Sequence, residues 1–127
     1  MEQRLREVVN NAYAPYSNFK VGAILEMENG EKYIGVNVEN ASYGATICAE
    51  RSAIVNAIAN GFKKGDFKRL SIMNSSDKIA TPCMVCRQLF VEFFDMDMEV
   101  VCYDINGNSI TYKVSDLCPV AFSKENL

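Results

Sequence analysis

Three cysteines and one glutamate lie in two short segments whose spacing suits metal chemistry. Cys48 precedes Glu50 by two residues, and Cys83 and Cys86 form a Cys-x-x-Cys pair. Each segment falls at the predicted start of a helix, where free backbone N–H groups and the helix dipole lower the pKa of a thiol. The three thiolates could therefore meet at a single metal ion.

Glu50 separates a catalytic metal site from a structural one. Zinc prefers four tetrahedral ligands, and a site with three protein ligands keeps an open position, whereas four cysteines usually close the site. A carboxylate two residues beyond Cys48 could reach that position and move protons between water and a substrate nitrogen. The sequence predicts Cys48, Cys83 and Cys86 as zinc ligands and Glu50 as the catalytic proton carrier.

Three thiolates leave Zn²⁺ with a net negative charge, which weakens its power to acidify water. Positive groups must compensate for this charge. Arg51 follows Glu50 directly, and Gln88 lies two residues after Cys86. Both side chains are predicted to donate hydrogen bonds to the sulfur atoms of the ligands.

Two other uses of the cysteines are compatible with their spacing. A closed zinc site would need Cys102 or Cys118 as a fourth ligand, and a Cys-x-x-Cys pair also occurs in redox proteins. Cys102 falls in a predicted strand and Cys118 in a tail before Pro119. We expect both to be small, buried apolar side chains without chemistry of their own.

The elements that position these residues follow from the hydrophobic pattern. Apolar residues at helical spacing predict helices over residues 2–13, over residues 48–59 and from residue 82 onwards. Runs rich in β-branched and aromatic residues predict strands at 19–27, 31–38, 70–73, 100–103 and 109–112. Asn29-Gly30 and Asn106-Gly107 are typical of hairpin turns.

This alternation predicts an α/β fold. We expect a three-layer α/β/α sandwich with a mixed sheet of about five strands, formed by a single domain over residues 1–127. In such folds the functional groups gather at helix starts near the ends of strands.

Charge and composition exclude several classes of protein. The net charge of −3 and the pI near 5.0 argue against a protein that follows nucleic-acid backbones. The basic residues Lys63, Lys64, Lys68 and Arg69 are expected to lie in a solvated loop. The charged N-terminus and the absence of a long apolar run predict a soluble, cytoplasmic protein without a membrane segment.

Ordered motifs run along nearly the whole chain and carry a resemblance. They are AYAPYSNFKVGA at residues 12–23, NVENASYG at 37–44, CAER at 48–51, PC at 82–83, CRQ at 86–88 and PVAF at 119–122. In these motifs the chain resembles the cytidine deaminase family, in its small homotetrameric form with three cysteine ligands. Zinc deaminases of this kind pair a three-cysteine site with a glutamate that is not a ligand.

The resemblance implies a function and a set of site residues. The function is zinc-dependent hydrolytic deamination of cytidine and 2'-deoxycytidine in pyrimidine salvage, with one zinc ion per subunit. The substrate-binding residues that it implies are Phe19, Asn37, Glu39, Ala49, Tyr43 and Phe122. Asn37 and Glu39 would bind the ribose, and two residues apart on one strand they would point to the same face. Tyr43 and Phe122 would reach the site of a neighbouring subunit in a homotetramer.

One residue departs from the family pattern. The family usually has glycine after the first cysteine of its second motif, where this chain has Met84. Methionine would be tolerated if the backbone there is helical. The side chain could also line the pocket and narrow it.

Three other functions fit the sequence less well. A blasticidin S deaminase would lack the Asn37-Val38-Glu39-Asn40 ribose motif. A polynucleotide deaminase would need a groove for flanking nucleotides, usually with basic or aromatic insertions. A non-enzymatic structural zinc module would have no use for Glu50 beside an open position.

Overall fold

The computed structural model describes residues 1–127 and contains one mixed sheet of five strands. The strands are β1 (Val21–Met27), β2 (Lys32–Val36), β3 (Phe67–Asn74), β4 (Glu99–Tyr103) and β5 (Ser109–Lys113). Their order is β2-β1-β3-β4-β5, with β3 and β4 parallel and every other neighbouring pair antiparallel. The parallel pair is joined through a helix, as a crossover connection requires. The predicted mixed five-stranded sheet is confirmed.

Helices cover both faces of the sheet. They are α1 (Glu2–Val9), α2 (Ala49–Ala59), α3 (Met84–Phe93) and α4 (Val114–Leu117), of which the four-residue α4 was not predicted. α1 packs on one face against Ile24 and Met73, whereas α2, α3 and α4 share the larger core on the other face. This gives the three layers that the sequence predicted. None of the helices has the length and apolar character needed to cross a membrane.

The first helix is shorter than predicted. It ends at Val9 rather than at residue 13. Tyr13 instead pairs with Val38: its N–H donates to the carbonyl oxygen of Asn37, and its own carbonyl oxygen accepts from Glu39 N–H. Extended pairing beside β2 therefore replaces the last helical turn.

The third strand is longer than predicted, and it corrects the assignment of the basic segment. Lys68 and Arg69 lie within β3, not in a loop. Arg69 stands beside Glu26 of β1 and Glu99 of β4, with nitrogen–oxygen distances of 3.6 and 2.9 Å. The same row of the sheet continues to Lys32 on β2 and Lys113 on β5. Charges thus alternate across all five strands, which favours this register because like charges never face each other.

The first hairpin is confirmed, with both of its strands shorter than predicted. Gly30 closes the turn with a φ of 92°, a left-handed conformation that glycine adopts without steric strain. β1 begins two residues late and β2 ends two residues early, because the Asn37 side chain takes over the pairing. Its amide donates to the carbonyl oxygen of Phe19 and accepts from Val21 N–H.

Helix α2 lies unusually close to β2 at Gly35. A Cβ atom at this position would overlap the backbone nitrogen of Ala53 and the carbonyl oxygen of Ala49, and it would lie 2.9 Å from the Ala53 Cα. Only glycine lets the first turns of α2 rest directly on the strand. Since this part of α2 carries Glu50, the contact sets the height of that residue above the sheet.

We expect Gly35→Ala to destabilise the protein, because backbone atoms that cannot rotate aside would have to move. Overpacking of this kind costs about 1–3 kcal/mol or more. The measurement is the urea midpoint at fixed protein and zinc concentrations. Gly44→Ala is the matched control, since a Cβ there meets no atom within 4 Å. An equal shift in both variants would contradict the close-contact argument.

Candidate metal centre

The three predicted cysteine ligands converge at the amino-terminal ends of two helices. Cys48 is the N-cap of α2, Cys83 is the N-cap of α3, and Cys86 lies in the first turn of α3. The Cys83 sulfur lies 3.5 Å from that of Cys48 and 3.4 Å from that of Cys86. All three sulfur atoms lie within 4.8 Å of one another.

This geometry fits one tetrahedral metal ion. Zinc–sulfur bonds of about 2.3 Å place neighbouring sulfur atoms about 3.8 Å apart, close to the separations observed. No cysteine is engaged in a disulfide. Cys102 and Cys118 are buried and lie outside the cluster, as predicted for apolar side chains, so a closed four-cysteine site does not form.

The sulfur atoms differ in their affinity for protons. Hydrogen bonding from Cys86, followed by that from Arg51, lowers the pKa of Cys48 to about 5. The same interaction with Cys48, together with burial, raises the pKa of Cys86. Of these two thiols, Cys48 therefore gives up its proton more readily than Cys86.

The positive charge of Arg51 lies beside the Cys48 sulfur, where it can compensate for the negative charge of the thiolates. Its Nη2 atom is 3.7 Å from the Cys48 sulfur and donates to the Thr46 carbonyl oxygen at 3.3 Å. Gln88 is placed differently from the expectation: its side-chain amide donates to the Phe122 carbonyl oxygen at 2.8 Å, not to a sulfur. Two residues along a helix turn the side chain by about 200°, so Gln88 faces away from Cys86.

Glu50 lies one helical position before Arg51 and faces the cluster from the cavity side. It is 5% exposed although it is an acid. Burial, and then the charge of Cys48, raises the pKa of the Glu50 carboxyl to about 7. A carboxyl with this pKa can both accept and release a proton near neutral pH.

A cavity of about 200 Å³ opens in front of Glu50 and the sulfur atoms of Cys48 and Cys83. It is lined by Phe19, Val21, Asn37, Thr46, Cys48, Ala49, Glu50, Ile72, Asn74, Ala80, Thr81, Pro82 and Cys83. Three of the predicted substrate-binding residues, Phe19, Asn37 and Ala49, therefore share one cavity with Glu50. The walls contributed by β3 and by the loop before Cys83 were not predicted, because nothing in their spacing marks them.

Asn37 and Glu39 do not share one strand face. β2 ends before both residues, and Glu39 lines a separate surface depression with Tyr16 and Tyr43. Its carboxylate accepts from the Tyr16 and Ser17 N–H groups at 2.9 and 3.1 Å, and from the Ser17 hydroxyl. These hydrogen bonds, first of all that from the Ser17 hydroxyl, hold the pKa of Glu39 below its ordinary value.

Tyr43 and Phe122 lie outside the cavity of their own chain. Tyr43 is 76% exposed and makes an edge contact with Tyr16 at a ring distance of 6.1 Å. Phe122 is 58% exposed and belongs to an apolar groove formed by α3 and the segment after α4. Neither aromatic ring touches the group of residues around Glu50.

Met84 does not narrow the cavity. It is the first residue of α3, has no positive φ and is 71% exposed. Its side chain faces the apolar groove that contains Phe122. A helical backbone accepts any side chain except proline, which explains why methionine can occupy the position at which the cytidine deaminase family usually has glycine.

Comparison with known proteins agrees with this geometry. A family model described as the cytidine and deoxycytidylate deaminase zinc-binding region matches residues 1–103. A cytidine deaminase of Sporosarcina psychrophila is 41% identical over 116 residues, which cover 91% of this chain and 84% of that protein. One from Halalkalibacterium halodurans is 39% identical over 116 residues, covering 91% and 86% of the two chains. The crystal structure of a cytidine deaminase from Burkholderia pseudomallei superposes with a TM-score of 0.90 at 40% identity, covering 94% of each chain.

We expect the zinc affinity of Met84→Gly to stay within about twofold of the wild-type value. The groups that hydrogen-bond to the ligands tune a metal site, and this exposed side chain is not one of them. Cys83→Ser is the contrasting variant and should weaken zinc binding by more than about 100-fold, because it removes a ligand. Both affinities can be measured by competition with a chromophoric chelator. A large loss of zinc affinity in Met84→Gly would show that the side chain supports the site.

Proposed function

The chain belongs to the cytidine and deoxycytidylate deaminase family, and on that premise we propose that it converts cytidine and 2'-deoxycytidine to the corresponding uridine nucleosides with release of ammonia. The observation that carries this proposal is the buried Glu50 carboxyl, which faces the same cavity as the sulfur cluster. A structural zinc site gains nothing from an acid in that place. A hydrolase needs one to move protons.

Cys48, Cys83 and Cys86 would hold a zinc ion, which would supply Lewis-acid activation of water when bound. Glu50 accepts the proton that the attacking water loses and delivers it to N3 of the cytosine ring. Protonation at N3 makes C4 more electrophilic. The hydroxide left from the water attacks C4 and forms a C4–O bond. Glu50 then moves the proton of this new C4 hydroxyl to the exocyclic nitrogen, so that the C4–N4 bond breaks and ammonia leaves while the C4 carbonyl of the uracil ring forms.

The cavity walls favour a flat, partly polar ligand. Phe19 offers an aromatic edge or face to a pyrimidine ring, and Ala49 brings the first turn of α2 close to the ligand without a bulky side chain. Asn37 keeps spare hydrogen-bonding capacity, since an amide group has two donor hydrogens and two acceptor lone pairs. We assign Phe19 and Ala49 to the base and Asn37 to the sugar hydroxyls. Glu39 is assigned to the sugar as well, from the depression that shares Thr46 with the cavity.

A free nucleoside suits this site better than a polynucleotide. The cavity of about 200 Å³ is confined, and the chain has a net charge of −3, which opposes a phosphate backbone. The Asn37-Val38-Glu39-Asn40 segment distinguishes the chain from the blasticidin S type of deaminase. We place the enzyme in the cytoplasm, in the salvage of pyrimidine nucleosides.

The exposed aromatic residues support a homotetramer with shared sites. Tyr43 and Phe122 are large, solvent-facing rings that their own chain leaves outside the cavity. Rings of this kind are enriched at protein interfaces. We assign them to the completion of sites on neighbouring subunits, with one zinc ion and one 127-residue catalytic domain per subunit.

We expect Glu50→Gln to lower kcat for cytidine by about 100-fold or more, because the amide cannot transport protons. Zinc content should stay at one ion per chain, since Glu50 is not a ligand. The assay is the fall in cytidine absorbance, with metal content measured on the same samples. Turnover by Glu50→Gln at the wild-type rate, or no turnover by the zinc-loaded wild type, would refute the proposal.

Shared sites predict complementation between two defective chains. A Phe122→Ala chain keeps Glu50 but lacks the aromatic ring that would complete the site of a neighbouring subunit. A Glu50→Gln chain keeps this ring but lacks the proton carrier. After dissociation and reassembly together, the mixture should show more activity than the sum of the separate proteins. Native mass spectrometry should show assemblies of about four times 14.2 kDa that contain both chains. Mixed assemblies without a gain in activity would exclude sharing through Phe122.

A further inference from the structure

The guanidinium of Arg87 contacts the chain segment directly before the zinc ligand Cys83. Arg87 was not among the site residues predicted from the sequence. Its backbone N–H donates to the Cys83 carbonyl oxygen at 3.0 Å. Its guanidinium donates through Nε to the Pro82 carbonyl oxygen at 2.8 Å and through Nη2 to the Thr81 hydroxyl at 2.9 Å. The guanidinium therefore holds positions 81 and 82, directly before Cys83, whereas the backbone bond to Cys83 is the first-turn helix bond that any residue except proline would make at position 87.

The same side chain also reaches a distant part of the sequence. Nη1 donates to the carbonyl oxygen of Leu117 at 3.0 Å, at the end of α4. The thiol of Cys118 returns to the Arg87 carbonyl oxygen at 3.6 Å. Arg87 thus links the loop before Cys83 to the carboxyl-terminal segment through one rigid group.

The chemistry of this contact requires arginine. A guanidinium presents its N–H groups in a fixed planar fork, whereas a lysine ammonium is a single point of charge on a flexible stem. Arg87 has no carboxylate partner within ion-pair distance, so its charge is held by neutral oxygen atoms alone. Hydrogen bonds from a charged donor are stronger than those between neutral groups.

The held segment is part of the functional site. Thr81, Pro82 and Cys83 form one wall of the cavity in front of Glu50. A shift of a few tenths of an ångström in this wall would move the Cys83 sulfur relative to that of Cys48, which is supplied by a different helix. Arg87 lies on the helix that also carries Cys86, so it ties the position of Cys83 to that of Cys86.

We propose that Arg87 is a positioning residue of the zinc site, which fixes the Cys83 sulfur and the Thr81–Pro82 wall and links both to the carboxyl-terminal segment. The proposal rests on the zinc site of the proposed function. It does not require that cytidine be the substrate, because its readouts are the retention and the coordination geometry of the metal.

The experiment compares zinc release from full-length, zinc-loaded wild type and Arg87→Ala in excess chromophoric chelator. We expect release at least about 10-fold faster from the variant, the effect typical of losing a group that orients a metal ligand. In protein loaded with Co²⁺ instead of zinc, the visible bands, which report ligand geometry, should shift in Arg87→Ala. Arg87→Lys should resemble Arg87→Ala rather than wild type, since lysine lacks the planar fork.

Arg69→Lys is the matched control for a general loss of stability. Arg69 also makes a multidentate arginine contact, with Glu99, but it lies on the face of the sheet that packs against α1, away from the cysteines. It should release zinc at the wild-type rate and keep the wild-type Co²⁺ bands. Equal acceleration in Arg69→Lys and Arg87→Ala, or release from Arg87→Ala within twofold of wild type, would overturn the proposal.

A milder variant keeps the test decisive if Arg87→Ala does not fold. Thr81→Val removes only the hydroxyl that accepts from Nη2, and it should accelerate zinc release by a smaller factor. Where both single variants fold, Thr81→Val should add little in the Arg87→Ala background, because residues that act through one contact are not additive. If both single variants fold, fully additive effects on the zinc release rate would contradict the proposal. If Arg87→Ala does not fold, an unchanged zinc release rate in Thr81→Val would contradict it. A wild type that binds zinc but does not deaminate cytidine would refute the proposed function alone.

Discussion

Mutual repulsion among three thiolates is the constraint on which the rest of this structure depends. Sulfur atoms within 4.8 Å of one another cannot all be charged unless positive potential surrounds them. Zn²⁺ supplies most of it, and two helix amino termini with Arg51 supply more. A fold that carries this site must therefore bring the starts of two helices together, and the crossover between the parallel strands β3 and β4 does so for α3.

Different contacts hold the two helices against this repulsion. α2 rests on β2 through Gly35, where the missing side chain lets backbone meet backbone. α3 is fixed through Arg87, whose guanidinium joins the loop before Cys83 to the end of α4. The first contact is steric and local to the sheet, whereas the second is polar and spans thirty residues of sequence. Both contacts act on helices or loops that carry the cysteines, which lie far apart along the chain.

The cavity and the outer surface carry different functional residues. Inside, Glu50 is buried beside the sulfur atoms, and its raised pKa follows from that burial. Outside, Tyr43 and Phe122 expose aromatic rings that the chain itself does not cover. In the proposed homotetramer, these rings would complete the sites of neighbouring copies and help to exclude water from them.

The sequence by itself determined the helix, strand, strand, helix order, and its motifs marked Cys48, Cys83, Cys86 and Glu50 as members of one site. Periodicity, turn residues and motif spacing act over a few residues, so they can be recognised along the chain. Only the tertiary structure decided that Gln88 faces Phe122 and that Arg87 holds the cysteine loop. Gln88 and Phe122 are 34 positions apart in the sequence, and Arg87 and Leu117 are 30 apart. The direction of these side chains depends on how helices rotate and pack, which no local pattern specifies.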